Sequence, residues 1–157
     1  MAVNKILTYR ELGIELRKLR REKKKIISTN GVFDILHIGH ISLISKAKKL
    51  GDVLIVLLNS DKSTKRLKGD KRPINKEKDR ANLVSALEDV DYVFIFKEDD
   101  PRKILNIIKP SVHVKASDYR LSKIVEKEVV ERNGGKVTLV PLKKGYSTTT
   151  LLNRLIK

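Results

Sequence analysis

The stretch "DVLIVLLNSD" (52–61) runs almost without polar interruption before ending in Asn-Ser-Asp. A strand apolar on every residue must be covered on both faces, which is the environment of a parallel sheet with helices above and below. Its neighbours alternate with it. "KIISTNG" (25–31), "DYVFIF" (91–96), "SVHVK" (111–115) and "KVTLVPL" (136–142) read as four further short strands. Between them lie helical patterns: 8–22 with Thr8 and Glu11 placed as a capping box, 39–51 stopped by Gly51, 76–90, 101–109, 122–135 closed by glycine, and 147–156 with Ser147 as its cap. The basic segment 62–75 reads as a loop. Five strands separated by helices predict an α/β chain with a Rossmann-like, doubly wound, five-stranded parallel sheet. No internal repeat, linker or low-complexity segment interrupts it. The expected organisation is a single domain over 1–157, with the 1–24 helical segment packed on it.

Such sheets bind ligands in the crevice outside the carboxyl ends of their strands. The informative residues are therefore Thr29 to His40, Asn59 to Asp61, Lys115 to Tyr119 and Gly145 to Thr149, each segment rich in small, polar or charged groups. "TNGVFDILHIGH" (29–40) holds two of the chain's three histidines, His37 and His40, around Gly39. The glycine permits close approach to the backbone, and the helix that follows offers N–H groups to an anion. Both histidines can donate to phosphate oxygens, an arrangement suited to charge redistributing during phosphoryl displacement. Two ordinary polar residues at a helix start are the bland alternative, which the strand, turn and helix context disfavours. Asp34, His37 and His40 as three ligands of a transition metal is a sharper alternative. Against it stand the absence of a suitably placed Glu and of any cysteine, so no protein-ligated metal is expected.

The remaining cations fit a polyphosphate. Lys68, Lys71 and Arg72 lie where a loop can close over a ligand, and Arg80 enters the next helix from the same side. Ser147, Thr148 and Thr149 open the final helix, where hydroxyls and N–H groups make a second anion seat. Neither G-x-x-x-x-G-K-[ST] nor a G-x-G-x-x-G after the first strand is present.

These residues resemble the nucleotidyltransferase superfamily with the HxGH signature, here "HIGH" (37–40), with "YSTTTLL" (146–152) similar to its C-terminal nucleotide-binding motif. "LGDVLIVLLNSDKSTKRLKGDKRPIN", "ALEDVDYVFIFKEDDP" and "NGGKVTLVPL" are further similar to the heptose 1-phosphate adenylyltransferase domain of ADP-heptose synthase. "NSD" (59–61) and "KRLKGDKRP" (65–73) discriminate best. The resemblance implies transfer of AMP from ATP to a sugar 1-phosphate (D-glycero-D-manno-heptose 1-phosphate), with Mg²⁺ and release of pyrophosphate. It implies that His37 and His40 contact the ATP phosphates and that Lys68 and Arg80 hold the β- and γ-phosphates. Nucleotide contacts are expected from Asn30, Gly31, Val32, Phe33, Asp34, Gly39, Lys115, Asp118, Tyr119, Ser147, Thr148 and Thr149. Asn59, Asp61 and Arg72 fall to the acceptor. The family pattern has paired glycines where this chain has Ala116-Ser117, which bears on base and acceptor choice. A glycerol-3-phosphate cytidylyltransferase or an FAD synthetase-like enzyme is the alternative within the superfamily. Bifunctional members carry a sugar kinase domain absent from these 157 residues, so a separate heptose kinase is expected upstream. A homodimer is compatible with the resemblance.

Charge and composition bound the partners. The net charge of +16 admits nucleic acid, an anionic surface or phosphorylated small molecules as partners. The lysines are scattered, only "RKLRREKKK" (17–25) being dense, and no exposed aromatic stacking surface accompanies them, so a non-catalytic nucleic-acid binder is disfavoured. Without cysteine, disulfides and thiolate catalysis are excluded. No apolar run approaches the roughly 20 residues of a membrane helix, and the N-terminus lacks a secretory pattern. No membrane partner and a cytoplasmic location are the resulting expectations.

Overall fold

A computed structural model of the chain describes residues 4–156. Residues 1–3 and 157, the two ends of the expected 1–157 domain, lie outside the described residues. The five strands are β1 (Ile26–Gly31), β2 (Val53–Asn59), β3 (Tyr92–Phe96), β4 (Val112–Ala116) and β5 (Lys136–Val140). They form one parallel sheet in the order β3-β2-β1-β4-β5. Every residue of β2 is buried. Alternate side chains of β2 go to opposite faces: Ile55 and Leu57 join one core with Phe94 and Phe96, while Leu54, Val56 and Leu58 join the other with Ile44 and Val84. The two-sided burial inferred from the apolar run is thus the observed one.

The helices are α1 (Tyr9–Arg21), α2 (Ile38–Lys48), α3 (Asp61–Lys68), α4 (Glu77–Ser85), α5 (Arg102–Ile108), α6 (Lys127–Arg132) and α7 (Thr148–Leu155). The capping box of α1 is formed, with Thr8 accepting from the Glu11 N–H and the Glu11 carboxylate accepting from the Thr8 N–H. Leu12, Leu16 and Leu19 of α1 are buried in the first core, so the N-terminal helix packs on the sheet. Residues 5–7 pair with Val93 and cover the β3 edge, which would otherwise offer unpaired N–H and C=O groups.

Two segments differ from the sequence expectation. The basic run read as a loop begins with α3, whose buried face is Ser63 and Thr64 rather than apolar side chains. Ser60 caps it by accepting from the Ser63 N–H. Asn59 donates to Ser63 Oγ, which donates to the Glu98 carbonyl, and Thr64 Oγ1 donates to the Ser60 carbonyl. A helix buried through hydroxyls carries no hydrophobic period to read. The expected 122–135 helix is instead a 3-10 turn (Leu121–Lys123) followed by α6. Glu126 sits between them with its carboxylate turned inward onto Lys115.

From β1 the chain winds outward through β2 to β3, then returns to place β4 on the other side of β1. The strand order reverses between β1 and β4, so the carboxyl ends of these two strands frame the crevice where such sheets bind ligands.

Candidate active site

A cleft of about 600 Å³ opens at that point. It is lined by Asn30 to Asp34, His37, Gly39, His40, Asn59, Lys68, Arg72, Lys115, Asp118, Tyr119 and Ser147 to Thr149. These are the sequence-predicted site residues with three exceptions, Asp61, Lys71 and Arg80.

His37 is the N-cap of α2, and its Nδ1 accepts the Gly39 N–H at 3.1 Å. The ring therefore folds back over Gly39, where a Cβ would lie 2.9 Å from His37 ring atoms and would have to displace the imidazole. The sequence reading reserved this close approach for a ligand; in the structure the imidazole itself occupies it. The N–H groups of His40 and Ile41 go to the His37 carbonyl, so the start of α2 is less open to an anion than expected. The ring still offers a ligand its Nε2–H, since a neutral ring accepting at Nδ1 donates at Nε2. The His40 ring stacks on that of His37 with centroids 3.8 Å apart and planes 23° apart. Phe33, at a left-handed φ of 49°, places its ring 5.1 Å from that of His40. His40 Nδ1 is buried without a partner among the described residues. Burial lowers the pKa of His37. Burial, with the neighbouring His37 adding to it, pushes His40 down to about 4. Both rings are thus neutral donors at pH 7.

Asp34 does not face the ligand as an acceptor. Fully buried, its carboxylate accepts from the N–H groups of Ile74 and Asn75 at 2.9 Å and from Arg72 Nε at 2.6 Å. Burial alone would raise this carboxyl; the Asn75 and Ile74 N–H groups and the Arg72 guanidinium outweigh it and hold it below the usual range. Asp34 so fixes residues 72–75 against the end of β1 and suspends Arg72 at the cleft.

Arg80 departs from its expected place. Its side chain is fully buried, donating to the carbonyls of Asn75 and Val32 and pairing with Asp61 at 2.8 Å. The guanidinium ties β1, the 72–75 segment and the start of α3 together, so neither Arg80 nor Asp61 lines the cleft. Position on an amphipathic helix could not separate a phosphate-facing arginine from one facing a polar interior. Lys68, at the carboxyl end of α3, does line the cleft, carried there by a helix rather than by a loop.

On the β4 side, Lys115 is nearly buried and pairs with Glu126 at 3.1 Å, while its ammonium lies 4.6 Å from the centre of the Tyr119 ring. At the far wall, Ser147 caps α7 by accepting from the Thr150 N–H. The N–H groups of Thr148 and Thr149 have no partner among the described residues, as a second anion seat requires. The two helix starts adjoin, because a Cβ on Gly39 would lie 3.4 Å from Tyr146 Cβ. Ala116 lines the cleft with an ordinary negative φ, and the Ser117 N–H bonds the Val140 carbonyl, so this loop does not need the family's glycines for its backbone.

Sequence reasoning missed Glu126 and Asn75. Glu126 stood inside an expected helix, and Asn75 acts through its backbone N–H and a donation to the Asp34 carbonyl. No sequence signal marked either. Among the described residues no three His, Cys, Asp or Glu side chains gather as metal ligands. Asp34, His37 and His40 do not do so because the Asp34 carboxylate is already spent on the 72–75 segment.

Residues 28–153 match the family model described as cytidylyltransferase-like. The chain is 48% identical over 144 residues to the bifunctional protein HldE of Geobacter metallireducens, covering 92% of this chain and 29% of that protein. It is 46% identical over 150 residues to the protein of the same name from Nitratiruptor sp., covering 96% and 32%. The chain thus spans less than a third of the length of these relatives. The crystal structure of the lipopolysaccharide core biosynthesis protein from Thermoplasma volcanium superposes with a TM-score of 0.64 at 35% identity, over 79% of this chain and 99% of that one. The pantoate-beta-alanine ligase of Francisella tularensis shares the fold, with a TM-score of 0.68 at 20% identity over 95% of this chain and 72% of that one. The matched span runs from β1 through the paired histidines to the threonines of α7, and on it the chain belongs to the cytidylyltransferase-like family.

Proposed function

We propose that this chain transfers AMP from ATP to a sugar 1-phosphate, D-glycero-D-manno-heptose 1-phosphate, forming ADP-heptose and pyrophosphate. The observation that carries the reading is the pair of stacked, neutral histidines beside the open start of α7 in one cleft. The choice of sugar rests on the likeness of "NSD" (59–61) and "KRLKGDKRP" (65–73) to the heptose 1-phosphate adenylyltransferase domain, and on the similarity to proteins named HldE.

An oxygen of the sugar phosphate attacks the α-phosphorus, that P–O bond forms, and the bond from the α-phosphorus to the bridging oxygen breaks. The electron pair leaves with pyrophosphate. His37 Nε2–H and His40 donate to oxygens whose charge grows at that moment, and Thr148 and Thr149 N–H groups receive the triphosphate. Lys68 and Arg72 add positive charge along it. Because the reaction is a direct displacement, alignment and charge stabilisation carry the rate.

Of the carboxylates lining the cleft, Asp34 and Glu126 are tied to Arg72 and Lys115, and Asp99 to Arg66. Asp118 makes no ion pair among the described residues. Among the described residues Asp118 is thus the one lining carboxylate that would be free to meet a Mg²⁺ brought in on the phosphates. When bound it neutralises charge on the leaving pyrophosphate. A sugar kinase activity, on this or another chain, must supply the acceptor.

The test is pyrophosphate release with ATP or CTP against heptose 1-phosphate, glycerol 3-phosphate and FMN, each with Mg²⁺. Turnover with ATP and heptose 1-phosphate supports the reading. Turnover confined to CTP with glycerol 3-phosphate, or to ATP with FMN, replaces it with the corresponding superfamily alternative.

A further inference from the structure

Ser28 and Asn30 on β1 and His113 and Lys115 on β4 share one face of the sheet, as their two-residue spacing and the Ser28–His113 pairing require. They form a continuous polar chain through an otherwise apolar core. Ser28 Oγ lies 2.8 Å from His113 Nδ1, and His113 Nε2 lies 3.2 Å from Asn30 Oδ1. Lys115 Nζ lies 3.1 Å from the same Asn30 oxygen and 3.1 Å from Glu126 Oε1. His113, Ser28, Lys115 and Glu126 are all buried; Asn30 is the least buried of the five and lines the cleft beside Lys115 and Glu126.

The hydrogen-bonding directions along this chain follow from one fact. An ammonium can only donate, so the Asn30 atom facing Lys115 must be the carbonyl oxygen. His113 Nε2 faces that same oxygen and must therefore carry a hydrogen. Its Nδ1 is then bare and accepts the Ser28 hydroxyl. Burial, and next the Lys115 charge, push the His113 pKa down to about 3, so the ring stays neutral and keeps this single tautomer. With Oδ1 held twice, Asn30 Nδ2 has no partner among the described residues, and it is not sealed in the core. A buried polar network of this kind is costly unless complete, and here its one unused pair of donors is at the cleft.

We propose that His113 is a positioning residue that locks the Asn30 carboxamide with its NH₂ group toward the cleft, where it donates to a hydroxyl or phosphate oxygen of the bound substrate. Lys115 alone would hold the amide by one contact about which it can turn. The second contact from His113 removes that freedom before the ligand arrives, which lowers the ordering cost of binding. The identity of the substrate rests on the proposed nucleotidyl transfer; the orientation of Asn30 does not.

The test begins without substrate. Long-range ¹H–¹⁵N correlation of the folded chain should show His113 as the neutral Nε2–H tautomer, unchanged from pH 8 to 5. The Nδ1–H tautomer, or protonation near neutrality, overturns the proposal. Asn30→Asp keeps the shape and both donors to Oδ1 but removes the NH₂ group. It should fold and raise the KM of one substrate on the order of tenfold, more than it lowers kcat. A rise for ATP assigns the contact to the nucleotide, and a rise for the sugar phosphate assigns it to the acceptor. Both KM values unchanged overturns the proposal. Ser28→Ala with His113→Leu, which leaves no orphan hydroxyl, should raise the same KM by less. Failure of the wild-type chain to release pyrophosphate would count against the proposed reaction, and the tautomer would then decide the positioning role alone.

Discussion

His37 stacks on His40 at 3.8 Å, and burial, with the neighbouring His37 adding to it, lowers the His40 pKa to about 4. The pairing has a thermodynamic sign. An unfolded histidine takes up its proton near 6.5, whereas folded His40 does so near 4, so between those values the unfolded state binds more protons. The stability contributed by neutral His40 is fully present above pH 6.5 and is lost as the pH falls toward 4. His113, at about 3, extends the loss further into acid. The melting temperature should therefore decline from pH 6.5 downward, and His40→Gln should flatten the upper part of that decline. An equal pH dependence in the variant would show that His40 is not the group responsible.

The same neutrality shapes catalysis. His40 lends an N–H rather than a positive charge, and its Nδ1 has no protein partner to lose. In His40→Ala, kcat should fall on the order of 10²–10³-fold, as when other donors to a developing oxyanion are removed, with less change in KM. The melting temperature should stay close to that of the wild type. Full pyrophosphate release in a folded His40→Ala chain would make the stacked pair a structural feature.

Arg80 behaves differently. Its guanidinium is fully buried on two half-buried carbonyls and the partly exposed Asp61 carboxylate, so Arg80→Ala removes the donor they share. Leaving such acceptors without their donor costs about 1–3 kcal/mol. Denaturant unfolding should show a loss of that order, with any weakening of ATP binding following from disorder of the 72–75 segment. Unchanged stability with lost ATP affinity would return Arg80 to the phosphate-binding role that the sequence implied.

Legibility of the fold followed the apolar pattern. The two-faced run of β2, the Thr8–Glu11 capping box and the Ser147 cap were all readable because each obeys a local rule. α3 was not, because Ser63 and Thr64 bury hydroxyls instead of methyl groups. In the site, the strand-end rule found the residues at the carboxyl ends of the strands but not the wall formed by residues 123–126. It could not tell that Gly39 yields its space to His37, that Asp34 spends its carboxylate on residues 72–75, or that Glu126 turns in to Lys115. Those facts depend on which way each side chain turns and on what it meets, not on spacing along the chain. A motif shows which groups are present at a site, while the partner that has already claimed each group is set by packing.

The start of α7 gives the most selective test of the phosphate seat. Thr148 is the first helical residue after the Ser147 cap, and its N–H has no partner among the described residues. Proline is favoured at this position, because its fixed φ suits the helix and the N–H it lacks is one the helix does not use. The residue before a proline must be extended, and Ser147 already is, at φ −150° and ψ 159°. Thr148→Pro should therefore leave helix and melting temperature intact while deleting one backbone donor to an anion. Thr148→Ala removes the hydroxyl but keeps the N–H, and so separates the two contributions. If the triphosphate seats here, Thr148→Pro raises the KM for ATP, or its Kd by calorimetry, clearly beyond Thr148→Ala. Equal ATP affinity in the two variants, both folded, would place the triphosphate elsewhere in the cleft.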